Sequence, residues 1–299
     1  MTQTLCDISK IGFGAAGAWG KSWFSENKAQ KLIAAALDHG IRHFDTAGFY
    51  AGGVAETRLG KALQDLSAND VEISSKAGTE YGSFGRPAKD FSAKAIERQV
   101  DTSLKRLNRE QLDILYLHGP TPETIDMTKE TLLRLTEIGK IKKIGVCGEG
   151  QALEYAIKTS WIDIIMGRFN ALDQSHADIF ALAKQKGVQT VAIAPLGQAL
   201  YRKSLFLPRT FSDLWYLARA IGRNPTALKR AQEVDLSNIS QLSGRTAAEA
   251  MLAFTLSNQD IDIVLSSTTR IAHLQSWVQT VQSSPLKTEE MEQLIALGQ

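Results

Sequence analysis

Four residues of the chain carry side chains that together could move a proton onto an oxygen. Asp45 and Tyr50 stand five positions apart in Asp45-Thr46-Ala47-Gly48-Phe49-Tyr50, Lys76 follows the run Val71–Ser75, and His118 follows Leu112–Leu117. A tyrosine, with a reference pKa of about 10, is a reluctant acid at neutral pH. A lysine cation beside it stabilises the phenolate and lowers that value. A carboxylate paired with the lysine keeps it charged and oriented. A neutral imidazole can hydrogen-bond a substrate oxygen and fix its position. The set is suited to protonating an oxygen that gains negative charge, as reduction of a carbonyl by hydride requires. No side chain can give the hydride, so the chemistry needs a cofactor. Singly, each residue has a plainer reading: Asp45 a turn residue, Lys76 a solvated strand end, His118 a satisfied rim histidine, Tyr50 a packed aromatic.

The set acts as one only if equivalent elements deliver its members to one rim. Short apolar runs at Ile41–Phe44, Val71–Ser75, Leu112–Leu117, Ile141–Val146, Ile162–Met166, Gln189–Ala194 and Ile261–Leu265 read as strands buried on both faces, and Ile11–Gly14 is a weaker eighth. Helical patterns fill the gaps. Lys28–His39 stops at Gly40, Ser92–Leu107 repeats apolar residues at helical spacing, Glu130–Ile138 stops at Gly139, and Ile179–Lys186 stops at Gly187. Thr246-Ala247-Ala248-Glu249 is a capping box opening a helix through Leu256. Repeated strand-then-helix units predict an α/β fold with a parallel sheet, closed as a (β/α)₈ TIM barrel, over one domain spanning 1–299. An open doubly wound sheet is the other architecture with this pattern. The long connection from Leu196 to Arg245, partly helical, is an added functional loop, and Thr288–Leu297 is a C-terminal helix that packs across the barrel. In a barrel, chemistry sits where strands end at their carboxyl side, which is where Asp45, Tyr50, Lys76 and His118 fall.

Gly12-Phe13-Gly14-Ala15-Ala16-Gly17 matches the dinucleotide-binding G-x-G-x-x-G. That motif must turn straight from strand into helix, and Ala18-Trp19-Gly20-Lys21-Ser22-Trp23 shows no helical periodicity. A glycine-rich loop where backbone approaches closely is the better reading.

At the four residues the sequence resembles the aldo-keto reductase superfamily. Gly40-Ile41-Arg42-His43-Phe44-Asp45-Thr46-Ala47-x-x-Tyr50, followed by Ala55-Glu56-Thr57-Arg58-Leu59-Gly60-Lys61-Ala62-Leu63, is similar to its first signature and next helix. Ile73-Ser74-Ser75-Lys76 resembles the lysine strand. Ser103-Leu104-Lys105-Arg106-Leu107 through Leu112-Asp113-x-x-Tyr116-Leu117-His118 resembles the second signature, and Gly139-Lys140-Ile141-x-x-Ile144-Gly145-Val146 the fifth strand. The resemblance implies a barrel that uses NADP(H), or NAD(H), without a Rossmann fold, and a catalytic tetrad of Asp45, Tyr50, Lys76 and His118. It implies cofactor contacts from Asp45, Cys147, Gly148, Met166, Ile193, Pro195, Leu196, Gly197, Gln198, Leu200, Ser267, Thr268, Thr269 and Arg270. Here Cys147-Gly148 replaces the family's Ser-Asn, Met166 its Gln, and Ile193 the aromatic under the nicotinamide. The family's adenine Glu and Asn become Ser276 and Trp277. Arg270 at a helix start suits a 2′-phosphate, hence a preference for NADP(H).

Trp19, Trp23 and Phe49, in the first two strand-to-helix loops, are the expected aromatic lining of a substrate pocket, with loop packing the alternative. The function these readings favour interconverts an aldehyde or ketone with its alcohol, Tyr50 acting as general acid and base on a small carbonyl or sugar substrate. A sugar or aldose dehydrogenase working oxidatively is one alternative, and a nucleotide-binding regulatory subunit without turnover is another. The rest of the 299 residues narrows the class. Hydrophobic residues make up 43% and charged ones 22%, so disordered and collagenous chains are excluded. No apolar stretch is long enough for a membrane span, and no membrane partner is expected. Lys+Arg 34 against Asp+Glu 32 is too balanced for a nucleic-acid binder. Two cysteines, Cys6 and Cys147, make neither a disulfide framework nor a cysteine-rich zinc site, and no metal is expected. Nothing at the N-terminus resembles a signal peptide, which predicts a cytoplasmic protein.

Overall fold

Strand and helix alternate until the sheet closes on itself. The structure, a computed structural model, describes residues 5–82, 86–197, 206–209, 211–223, 228–229 and 244–297. Its strands are β1 (Ile11–Gly14), β2 (His43–Asp45), β3 (Glu72–Ala77), β4 (Thr79–Tyr81), β5 (Pro87–Lys89), β6 (Leu112–His118), β7 (Ile141–Cys147), β8 (Ile164–Arg168), β9 (Gln189–Ile193) and β10 (Ile263–Ser266). All but β4 and β5 run parallel in a closed barrel, ordered β1-β10-β9-β8-β7-β6-β3-β2. β1 completes the ring by pairing Gly12 with His43 of β2 and with Leu265 of β10. The architecture is therefore the (β/α)₈ barrel, with β4 and β5 added as a short antiparallel hairpin after β3.

The helices are α1 (Glu26–Asp38), α2 (Val54–Asp65), α3 (Ala93–Leu107), α4 (Pro122–Glu137), α5 (Gly150–Lys158), α6 (Ala177–Gln185), α7 (Phe211–Arg223), α8 (Ala247–Ser257), α9 (Ile271–Gln282) and α10 (Thr288–Ala296). Ser25 starts α1 by accepting the Lys28 N–H, two residues before the periodicity becomes visible, while β1 continues into a 3₁₀ turn, Gly17–Gly20, rather than a helix. α4 starts at Pro122, not near Glu130. Thr121 and Thr124 cap it reciprocally, proline fills its first turn, and the fully buried Ile125 anchors the turn that sequence pattern misses. The capping box of Thr246 and Glu249 forms as its spacing predicts. α10 buries Leu294, and Gln174 Nε2 donates to the Ile295 carbonyl at 3.0 Å.

Side chains alternate across each strand, so one set fills the barrel and the other meets the helices. Ile114, Tyr116, Cys147, Ile164, Met166, Val191, Ile263 and Leu265 pack within the ring. Two interior positions have no room for a side chain. A Cβ on Gly12 would lie 2.3 Å from Leu265, and one on Gly145 2.4 Å from the Tyr116 ring. The second, larger core lies between sheet and helices, from Ile33 and Leu59 round to Leu252 and Leu274.

Candidate active site

The carboxyl ends of β2, β3 and β6 bring Asp45, Lys76 and His118 to one arc of the rim, and the loop after β2 carries Tyr50 back over it. Lys76 Nζ donates to Asp45 Oδ1 and Oδ2 at 2.7 and 2.5 Å and to the Thr46 carbonyl at 2.8 Å. The two side chains are 1% and 6% exposed. Ser74, two residues before Lys76 on the same strand, donates to Asp45 Oδ1 at 2.8 Å. The Lys76 ammonium lies 5.2 Å from the centre of the Tyr50 ring, and Tyr50 meets His118 edge to face at 6.0 Å. Behind the sheet, Ser75 donates to the fully buried Glu56 of α2 at 2.7 Å, and Glu56 accepts from Arg106 of α3 at 3.1 Å. Helix packing thus fixes the strand that presents Lys76.

Burial sets most of the electrostatics. For Lys76 burial is the largest effect and would discharge it, but Asp45, Tyr50 and Cys147 together outweigh it and raise its pKa. Burial pushes Tyr50 up. Lys76 pulls it back and Asp45 pushes it further, and the net shift is upward. This corrects the expectation that the lysine leaves the phenol more acidic than usual: Lys76 offsets only part of the burial. His118 is pushed down to about 3, first by burial and then by Lys76 and Lys89. Its imidazole is therefore neutral at physiological pH, and its buried Nδ1 has no hydrogen-bond partner among the described residues. Cys147, at the end of β7, is pushed up to about 11 by burial, so it is a neutral thiol with no nucleophilic character.

The remaining predicted positions divide. Cys147 pairs with His118 on one side and Met166 on the other, and both Cys147 and Met166 belong to the apolar barrel interior with Ile193 beside them. They offer an apolar floor and no side-chain amide. Gly148 follows Cys147, and its N–H donates to the Met166 carbonyl at 3.1 Å. After β9 the backbone turns sharply through Ala194 (φ 58°), Pro195, Leu196 and Gly197 (φ 51°). Gln198 and Leu200 lie outside the described residues, as does most of the connection from Leu196 to Arg245, although its α7 is helical.

Across the ring, Ser267 and Arg270 are exposed and Thr269 half-buried at the start of α9. Thr268 is buried, and its hydroxyl accepts the Arg270 N–H at 3.0 Å, so it shapes the loop. Arg270 Nη2 lies 4.0 Å from Asp213 of α7. Ser276 bonds Glu249, while Trp277 is buried against Phe13.

Of the expected pocket aromatics, Phe49 faces the rim: it lies tilted against Tyr81 at 4.6 Å and meets His118 edge-on at 6.2 Å. Trp23 is half-buried beside Trp215, and its indole N–H has no partner among the described residues. Trp19 does not line an open pocket. It has no exposed surface, packs on Phe13 and Phe24, and donates its indole N–H to the Thr268 carbonyl at 3.0 Å.

Several rim groups escape a reading of the sequence. Arg168 ends β8 on the strand face of Met166, and Glu149 pairs with it at 2.8 Å. A two-residue step from Met166 would locate Arg168. Tyr81 and Lys89 reach the rim only because β4 and β5 fold back, which no alternation in their sequence announces.

The model of the aldo/keto reductase family matches residues 10–299, and the chain belongs to that family. It is 26% identical to L-galactose dehydrogenase of Arabidopsis thaliana, over 93% of this chain and 86% of that protein. An uncharacterized oxidoreductase of Bacillus subtilis is also 26% identical, over 96% and 92%. The holo form of an aldo-keto reductase from Bacillus halodurans superposes with a TM-score of 0.78 at 26% identity, covering 97% of this chain and 92% of that one. The chain is accordingly an aldo-keto-reductase-like oxidoreductase on a (β/α)₈ barrel.

Proposed function

We propose that the protein interconverts a small aldehyde or ketone and its alcohol, using NADP(H) in preference to NAD(H), with Tyr50 passing the proton. The observation that carries this reading is the arrangement of the half-buried Tyr50 over the buried Lys76–Asp45 pair and against His118. The residues fit a nicotinamide nucleotide on their own chemistry. A proton-handling set lies beside an apolar floor of Cys147, Met166 and Ile193, and none of these side chains can transfer hydride. At the far side of the ring, the twelve-residue α9 turns its N-terminus and the exposed Arg270 toward solvent, a combination suited to a phosphate. An aldo-keto reductase of Klebsiella pneumoniae, similar to this chain in fold at 22% identity with a TM-score of 0.75, is a complex with NADP and acetate.

A nicotinamide held over Cys147, Met166 and Ile193 would supply or accept the hydride. Tyr50 donates its phenolic proton to the carbonyl oxygen as charge develops there. Lys76, cationic because Asp45 holds it so, stabilises the phenolate left behind. His118, neutral, fixes the oxygen within reach of Tyr50 without competing as an acid. Oxidation uses the same groups in reverse, which suits a sugar or aldose substrate equally. The proposed setting is the cytoplasm, with dissolved substrates. Among the described residues, no helix is long and apolar enough to cross a membrane.

The test is Tyr50→Phe. Loss of a general acid costs about 10²–10⁴-fold in rate. We expect kcat to fall by that amount while NADPH binding, read by fluorescence titration, changes less than threefold. Turnover within threefold of the wild type refutes the assignment.

A further inference from the structure

We infer that Lys89 is a substrate-specificity residue that makes the site select carbonyl compounds carrying an anionic group, a carboxylate, phosphate or sulfonate. The inference rests on the reading of the rim as the reaction site, and it starts from the hairpin. Thr79 pairs directly with Lys89 and Tyr81 with Pro87, so these four side chains share one face of the two-stranded sheet. That face is turned to the rim, because the Tyr81 ring lies tilted against Phe49 with centres 4.6 Å apart and Lys89 Nζ donates to the His118 carbonyl at 2.6 Å. Glu80, on the opposite face, is turned away and pairs with Arg98 of α3 at 2.6 Å.

Among the described residues, Lys89 is held in place by neutral groups only. Its ammonium donates to the His118 carbonyl and, at 2.8 Å, to the Thr79 hydroxyl, which itself donates to the same carbonyl at 2.7 Å. It sits over Gly119, where a Cβ would come within 2.7 Å of Nζ. An ammonium has three donors, and two are used here. Two other cations of the rim are compensated: Lys76 by Asp45, Arg168 by Glu149. Lys89 has no carboxylate within ion-pair distance among the described residues, and the residue is exposed to the solvent of the mouth. Its charge is felt at the site, since it helps keep the His118 imidazole unprotonated. An uncompensated cation beside the imidazole that fixes the substrate oxygen favours a substrate with a compensating negative charge a few atoms away. A structural role alone would be served by the two bonds to neutral oxygens, and would not leave the third donor open.

The experiment compares charged and neutral partners on the holoenzyme. Turnover is measured with glyceraldehyde 3-phosphate against glyceraldehyde, and with succinic semialdehyde against butyraldehyde. Binding of butyrate against butyramide is read from tryptophan fluorescence, which needs no turnover. A charge-assisted contact predicts roughly a ten- to hundredfold preference for the anion. Lys89→Met should remove that preference through KM, with the anionic compounds losing roughly ten- to hundredfold more than their neutral counterparts, and Lys89→Arg should restore most of it. Raising the salt concentration should erode the wild-type preference, a readout that needs no variant. Equal losses on charged and neutral compounds, or no wild-type preference in turnover or binding, overturns the inference. If nothing turns over but butyrate binds in preference to butyramide and loses that preference in Lys89→Met, the anion site stands and the catalytic reading fails.

Discussion

The Lys76–Asp45 pair offers a perturbation whose stability and activity effects separate. Both side chains are almost wholly out of water, and three hydrogen bonds from Lys76 Nζ end on Asp45 and Thr46. Lys76→Met leaves a buried carboxylate with Ser74 as its remaining side-chain donor, and Asp45→Asn leaves a buried ammonium facing an amide. Each single change strands a charge, which costs about 3–5 kcal/mol. The double variant Asp45→Asn/Lys76→Met strands none. The amide introduced by Asp45→Asn can still accept from Ser74. Stability of the double variant should therefore return to within about 1–2 kcal/mol of the wild type, the shortfall being the donor lost by the Thr46 carbonyl. Urea unfolding followed by circular dichroism, with thermal melts as a check on cooperativity, measures all four proteins. The coupling should be roughly 3 kcal/mol or more, favouring the double variant over the sum of the singles, while all three variants lose turnover. Because the folded pKa of Lys76 is raised, its contribution is present below the ordinary lysine value of about 10.4 and is lost only as pH rises beyond it. The coupling should therefore be constant from about pH 6 to pH 9. Additive destabilisation, with coupling under about 1 kcal/mol, would refute the assignment of a buried, obligate ion pair.

Other expectations follow from single side chains. The His118 imidazole, held neutral down to about 3, should show no NMR titration between about pH 8 and pH 4.5. Its depressed value contributes stability above the ordinary imidazole pKa that fades as pH falls toward about 3, so His118→Gln should flatten the acid limb of the stability curve. Cys147, with its thiol pushed up to about 11, should resist aromatic disulfide reagents at neutral pH in the native protein and react only after unfolding in urea, whereas the half-buried Cys6 is the site of any native labelling. Arg270→Ala should weaken NADPH roughly ten- to hundredfold by fluorescence titration while NADH changes less than threefold; equal affinities of the wild type for the two cofactors would overturn the phosphate reading.

Much of this molecule is written in local pattern. Most barrel strands show as short apolar runs, because a sheet buried on both faces admits little else, whereas β3 reads Glu72-Ile73-Ser74-Ser75-Lys76-Ala77 with its polar side chains tied into the site and to Glu56. Asp45, Lys76 and His118 are legible because each follows directly on such a run, the position where strands end at the rim. What local pattern omits is contact between distant segments. Nothing near Trp19 announces that Thr268 takes its indole proton, so an aromatic in a loop reads equally as pocket or packing. The direction of the Tyr50 shift is hidden for a related reason. A lysine is visible in sequence, but the burial that outweighs it depends on the neighbours supplied by the whole ring. Glu56 reads as one more charge on an amphipathic helix until Ser75 and Arg106 surround it.

The bond from Trp19 to Thr268 also bears on how the chain reaches its native state. It links the loop after the first strand to the loop after the last, across 249 residues, beside the seam where β1 meets β10. Contacts of such separation form only after the entropy of closing the intervening chain has been met, whereas helices and neighbouring strand pairs form locally. Of the five tryptophans in the chain, Trp19 therefore reports on closure of the ring. In a variant where it is the sole indole, its transfer from water to core during refolding would mark the moment the sheet becomes a barrel. That signal should lag the gain of helical dichroism, and the lag measures how long the protein exists as an open, edge-exposed sheet vulnerable to pairing with another chain.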